Sequence, residues 1–163
     1  MPLNTTQLKS VRQWKSAIGL SEQKFYNLLI MFKLYYEKEH KVTLQDTMLR
    51  LGIKNPILKS YDDCLFFVLF QLKNGLTFDV LGLVFDTDGS NAQRNFERYL
   101  AVLEGALTNA NFVPPRKFDN EADFLAYLEG EKDIIFDGTE FLTERPKDKE
   151  KQKKAYSGKK KAM

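Results

Sequence analysis

The stretch TFDVLGLVFDTDGSNAQRNFERYLAVLEGAL, residues 77–107, decides the fold. Its first nine residues are apolar or glycine apart from Thr77 and Asp79, and Thr77 is a good N-cap residue. The pattern predicts a helix of under three turns. DTDG, residues 86–89, reads as a turn. Ser90 then caps a longer helix in which Ala92, Phe96, Tyr99, Leu100, Leu103 and Leu107 share one face, while Asn91, Arg94, Asn95 and Arg98 share another. A short helix, a tight glycine-containing turn and a helix with a polar, basic outer face make a helix-turn-helix layout.

Upstream, YDDCLFFVLFQLKNG (residues 61–75) is apolar nearly all round, as a central helix buried by its neighbours would be, and it ends at Asn74-Gly75. With it the helix-turn-helix region covers residues 61–108. In SEQKFYNLLIMFKLYYEK (residues 21–38), Phe25, Leu28, Leu29, Phe32, Tyr35 and Tyr36 recur at helical spacing behind a Ser21 cap. LKSVRQWKSAIGL before it reads as a shorter helix stopped at Gly19, with Trp14 a packing residue. A third short helix is expected from Thr43 to Leu51, ended by Gly52. His40, the only histidine, falls in the link and is expected to face solvent; with no second histidine and no cysteine beside it, it makes no metal site. Residues 1–113 therefore form a helical bundle.

Downstream the pattern changes. Val113-Pro114-Pro115 ends the bundle, and residues 114–131 read as a linker with a short helix capped by Asp119, carrying Phe124, Leu125 and Leu128 and stopping at Gly130. DIIFDGTEFLTERP (residues 133–146) reads as a strand, a Gly-marked turn and a second strand halted by Pro146, a β-hairpin-like unit. The last seventeen residues are too polar to build structure alone and are expected to be a disordered basic tail. The fold class is thus mainly α, with a short β start and a tail in residues 132–163.

Charge is segregated along the chain. Residues 1–60 hold ten Lys/Arg against four Asp/Glu, residues 61–144 six against sixteen, and residues 145–163 nine against two. Basic ends around an acidic body fit contact with a polyanion through the ends. The single cysteine, Cys64, lies inside the apolar run. That excludes an internal disulfide and a Cys-rich zinc site, and it fits an inert core position in a reducing compartment. No charged-then-apolar leader opens the chain, and the longest apolar run, Cys64 to Leu72 broken only by Gln71, is too short to cross a bilayer. A cytoplasmic protein with no membrane contact is expected.

Two sets of residues carry candidate chemistry. Asn and Arg side chains pair bidentately with adenine and guanine edges in the major groove, and Asn91, Arg94, Asn95 and Arg98 all lie near the start of their helix. Against a free-standing reader of DNA, residues 61–113 hold seven acids and three bases, so phosphate attraction must come from the N-terminal helices or the tail. A helical protein-interaction module without a DNA role is the alternative. The second candidate is Asp137, which follows Ile134, Ile135 and Phe136 and precedes Gly138. Position alone also allows a plain turn former there.

IIFDGTE, then RPKD at 145–148, then KQKKAYSGKKK at 151–161, resembles the opening of the catalytic domain of insertion-sequence transposases of the DDE superfamily. Residues 58–104 likewise resemble the helix-turn-helix domain that precedes it there. The resemblance covers roughly residues 44–162, in two ordered blocks. It implies an RNase H-like fold in which three carboxylates hold two divalent ions, magnesium or manganese, for phosphodiester cleavage and strand transfer. Asp137 matches the first carboxylate and is a metal ligand only in a completed site. Lys159, Lys160 and Lys161 follow the matched Tyr156-Ser157-Gly158 and are expected along DNA phosphates, unless the tail is simply a solvated one. The second and third carboxylates of the family pattern are not found before Met163.

The expectation is a DNA-binding, catalytically incomplete portion of a transposase that recognises the element's ends, nucleoid-associated when bound. It is either the first reading frame of a frameshifted enzyme or the relic of a decayed copy. An active endonuclease completed by a second-frame polypeptide is the enzymatic alternative, and a homo-oligomer is a further possible assembly.

Overall fold

A computed structural model describes residues 2–53, 55–114, 117–130 and 148–150 of the chain. The chain divides into two units, residues 1–116 and 117–163. The expected strands of residues 133–146 and the tail lie outside the described residues. Among those described, the regular structure is helical throughout, as expected of a mainly α protein.

In the first unit a 3-10 turn at Thr5–Gln7 leads into α1 (Val11–Ile18), α2 (Glu22–His40), α3 (Leu44–Arg50), α4 (Tyr61–Asn74), α5 (Phe78–Phe85) and α6 (Gly89–Asn109). Each of the six starts the same way. Ser10, Ser21, Thr43, Ser60, Thr77 and Asp88 stand in extended backbone, and each side chain accepts from the N–H three residues on. Every helix thus has one of its orphan amide groups satisfied by its own cap. At Thr43 and Ser60 the acid three residues later, Asp46 or Asp63, bonds back to the cap N–H and completes a capping box.

The core is organised around α4. Cys64, Leu65, Phe66, Phe67 and Val68 are buried in succession, which a helix achieves only when neighbours cover all its sides. Trp14 and Ile18 of α1, Phe25, Phe32 and Tyr36 of α2, Leu81 and Phe85 of α5, and Tyr99, Val102 and Leu103 of α6 complete the same cluster. Phe85 is an aromatic hub: its ring meets Phe67 at 4.8 Å, Phe70 at 5.5 Å and Phe66 at 6.1 Å. The edge-to-face orientations with Phe67 and Phe70 suit the ring quadrupoles. Trp14, Cys64 and the aromatic face of α2 therefore take the packing roles expected of them.

Two close approaches fix α6. At the α5–α6 elbow the Thr87 N–H donates to the Gly82 carbonyl at 2.9 Å. A Cβ on Gly82 would stand 2.6 Å from the Thr87 carbonyl oxygen, so only glycine lets the turn fold back onto α5. On the other side of α6 the Tyr35 ring occupies the space that a Cβ on Gly105 would fill, which draws α2 and α6 together.

Three local expectations are corrected. Asp88, not Ser90, caps α6: Asp86 closes α5 in the left-handed region with φ of 60°, so only Thr87 and Asp88 remain for the turn, and a carboxylate suits the positive end of the helix. His40 belongs to α2 rather than to the link, because Lys41 is the residue that turns left-handed, with φ of 56°. The His40 side chain is exposed as expected, and its ring lies 4.4 Å from that of Tyr36. In the second unit α7 (Glu121–Tyr127) is capped by Asn120 rather than Asp119 and stops before Gly130; Phe118 packs on Phe124 and Tyr127.

Candidate functional site

The polar face of α6 opens onto a groove of about 330 Å³. Asn91, Arg94, Asn95 and Arg98 form one wall, at the i, i+3, i+4 and i+7 spacing that stacks side chains along a helix. The other wall comes from α3, through Leu44, Thr47 and Met48, and from Leu51, Ile53 and residues 55–58. Tyr99 lies at the base. The structure thus brings together the four sequence-predicted residues and adds a second wall that the sequence analysis did not assign.

That second wall is anchored by two tyrosines. The Tyr61 hydroxyl accepts from the Leu44 N–H at 2.9 Å and donates to Glu37 Oε1 at 3.1 Å, tying α3 and α4 to α2. Burial, with the Glu37 carboxylate beside it, pushes the Tyr61 phenol up to about 12. Tyr36 reaches α3 separately, donating to Thr47 Oγ1 at 3.1 Å. Beneath the groove Tyr99 and Cys64 lie in the same core cluster; burial drives the Tyr99 phenol upward and the Cys64 thiol up to about 12. Cys64 is therefore a neutral core group and not a nucleophile.

At the start of α6 a polar chain runs along the wall. Asp88 Oδ1 accepts from the Asn91 N–H at 2.8 Å, its other oxygen accepts from the Asn91 amide, and Arg94 Nη2 donates to Asn91 Oδ1 at 2.7 Å. The Asn91 backbone N–H holds the Asp88 carboxyl below the usual carboxylate range, with smaller help from the Asn91 amide and the Arg94 charge. Arg98, one turn on, has no ion-pair partner among the described residues. The strip offers two guanidinium groups and two carboxamides over about 10 Å of helix.

Asp137, Lys159, Lys160 and Lys161 lie outside the described residues. Among the described residues no group of three His, Cys, Asp or Glu side chains is placed to hold a metal ion. None of the described helices is long and apolar enough to cross a membrane. Comparison with family models, curated proteins and solved structures finds no match to this chain.

Proposed function

We propose that this chain is the DNA-binding, N-terminal portion of a DDE-type transposase, with α5 and α6 as its helix-turn-helix and the first half of α6 as the element that reads DNA ends. The observation that carries the proposal is the convergence of Asn91, Arg94, Asn95 and Arg98 on one groove wall, at the start of a helix set by the tight α5–α6 turn. Arginine pairs with guanine O6 and N7, and asparagine with adenine N6 and N7. A strip of both types therefore suits a mixed base sequence.

In this reading Asp137 is the first carboxylate of a divalent-metal site that other carboxylates must complete. It rests on the sequence resemblance alone, and DNA binding does not depend on it. A second reading frame that supplies those carboxylates, or a second copy of the chain, is a partner compatible with this role.

Selection of bound duplexes from a randomised pool, using the full chain, tests the reading. A reproducible motif is expected. Arg94→Ala and Arg98→Ala should each lower discrimination for that motif by about 1–3 kcal/mol, relaxing the preference at the contacted base pair. No enriched motif, or an unchanged preference in both variants, refutes the assignment and leaves a helical protein-interaction module as the better description.

A further inference from the structure

The DNA reading leaves an electrostatic deficit. Residues 61–113 hold seven acids and three bases, and Asp79, Asp86, Asp88 and Glu97 are exposed on or beside α5 and α6. A face with that balance repels phosphates, whereas duplex binding draws most of its affinity from displacing counterions at phosphates.

We infer that a second surface, built from α1 and the end of α4, grips the DNA backbone. Arg12 and Lys15 of α1 and Lys73 of α4 surround a shallow depression that Val11 and Ser16 also line. The two helices are locked together there: Asn74 Nδ2 donates to the Ala17 carbonyl at 2.9 Å, and the Lys73 stem runs beside Gly19, with its Cδ 3.6 Å from where a Cβ on Gly19 would be. Neither element brings a negative charge to the site. Residues 2–21 contain no Asp or Glu, and neither do residues 64–74. Among the described residues Arg12, Lys15 and Lys73 have no ion-pair partner.

Two helix C-termini meet at this spot, and their partial negative charge accounts for Lys15 and Lys73 in the last turns. It does not account for Arg12, which stands in the first turn of α1, where the helix dipole disfavours a cation. An external anion explains it. A bilayer is the poorer occupant, because α1 has spent its apolar face on the core through Trp14 and Ile18 and keeps only Val11 exposed beside the cations. The phosphates of a DNA duplex are the fitting partner. α6 then supplies selectivity, and the α1–α4 surface supplies the salt-dependent part of the affinity.

This inference rests on the proposed DNA binding, and the test separates the two. Binding of the full chain to a fluorescent duplex is followed by anisotropy across about 50–300 mM sodium chloride, where each phosphate contact contributes about 0.9 to the slope of log affinity against log salt. Substituting Arg12→Gln, Lys15→Gln and Lys73→Gln together should flatten that slope by roughly 2–3, and Arg12→Gln alone by about 0.9. Preference for the selected motif should survive. The charge-matched variant Lys33→Gln, Lys38→Gln, Lys41→Gln should leave the slope near that of the unmodified chain.

A full slope in the α1–α4 variants, while the unmodified chain binds DNA, overturns this inference and spares the proposed function. An equal loss in the α2 control also overturns it, since charge anywhere would then suffice. No binding by the unmodified chain at the lowest salt overturns both. Retention on anionic phosphatidylserine vesicles, with none on DNA, reassigns the surface to membranes.

Discussion

Gly82→Ala is the most informative single change in the fold. Alanine is favoured over glycine inside a helix by about 1 kcal/mol, so on propensity alone the variant gains stability. The elbow opposes that gain. The new methyl would sit 2.6 Å from the Thr87 carbonyl oxygen and 3.1 Å from the Asp88 carbonyl carbon, and both atoms are backbone. Thr87 is held by its own hydrogen bond to Gly82, so the turn cannot retreat without breaking the closure of α5. Relief requires the turn to move by most of an ångström, an overpacking cost of about 3 kcal/mol. The net expectation is a loss of about 2 kcal/mol and, for a unit of this size, a melting temperature lower by about 8 °C. Thermal melts followed by circular dichroism measure it. On the proposed DNA reading, motif-selective binding should fall more than the stability loss alone explains, because the turn aims α6. Gly89→Ala provides the contrast: the atom nearest its added methyl belongs to the Asp79 carboxylate, which can swing away, and the nearest backbone atom, the Asp79 Cα, stands at 3.2 Å rather than 2.6 Å, so the cost should be smaller than at Gly82. A Gly82→Ala protein as stable as the parent would refute the close-approach reasoning.

Cys64 should resist a thiol-specific disulfide reagent in the folded chain and react freely in urea, because it is fully buried and its thiol is pushed up to about 12; rapid native reaction would place it at the surface. The same burial makes the fold sensitive to alkali. Folded pKa values above the unfolded ones of about 8.5 for Cys64 and about 10 for Tyr61 and Tyr99 mean full stability below about pH 8.5, then a decline as pH rises toward 12. Urea midpoints should hold between pH 7 and 8 and drop by pH 10.5; a midpoint unchanged at pH 10.5 would contradict the burial of these groups. Ser60→Ala removes the capping box of the central helix and should cost about 1 kcal/mol in urea titrations, whereas Ser60→Thr should restore most of it.

Much of the bundle was legible because local chemistry and tertiary packing agree. Thr77, Ser21 and Thr43 cap where their side chains predict, and Gly19 and Gly75 end α1 and α4 in left-handed conformations. The continuous apolar run of α4 announced its central place. Gln71, the one polar interruption, proved a specific fastener: its amide nitrogen donates to the Leu76 carbonyl at 2.7 Å and steadies the chain between α4 and α5. Two things were not legible. Apolar residues do not declare their facing in a short helix, and Leu83, within an almost wholly apolar segment, is 82% exposed. The second wall of the groove was hidden for a different reason. Residues 44–53 and 55–58 face α6 across the groove through a tertiary arrangement held by Tyr36 and Tyr61, and no local pattern encodes a juxtaposition across more than thirty intervening residues.

If α6 reads DNA as proposed, the polar chain at its start constrains the direction of approach. The free N–H groups of a helix N-terminus attract phosphate, but here the Asp88 carboxylate already occupies that position and keeps its charge to lower pH than an ordinary aspartate. A phosphate arriving end-on would meet like charge. In that reading a side-on approach brings Asn95 and Arg98 forward, beside Arg94, which donates to Asn91. That geometry favours discrimination and provides little long-range attraction, whereas Arg12, Lys15 and Lys73 present charge with no groove to read through. The two surfaces should therefore respond to different variables: changes on α6 to base sequence at fixed salt, and changes on α1 and α4 to salt at fixed sequence.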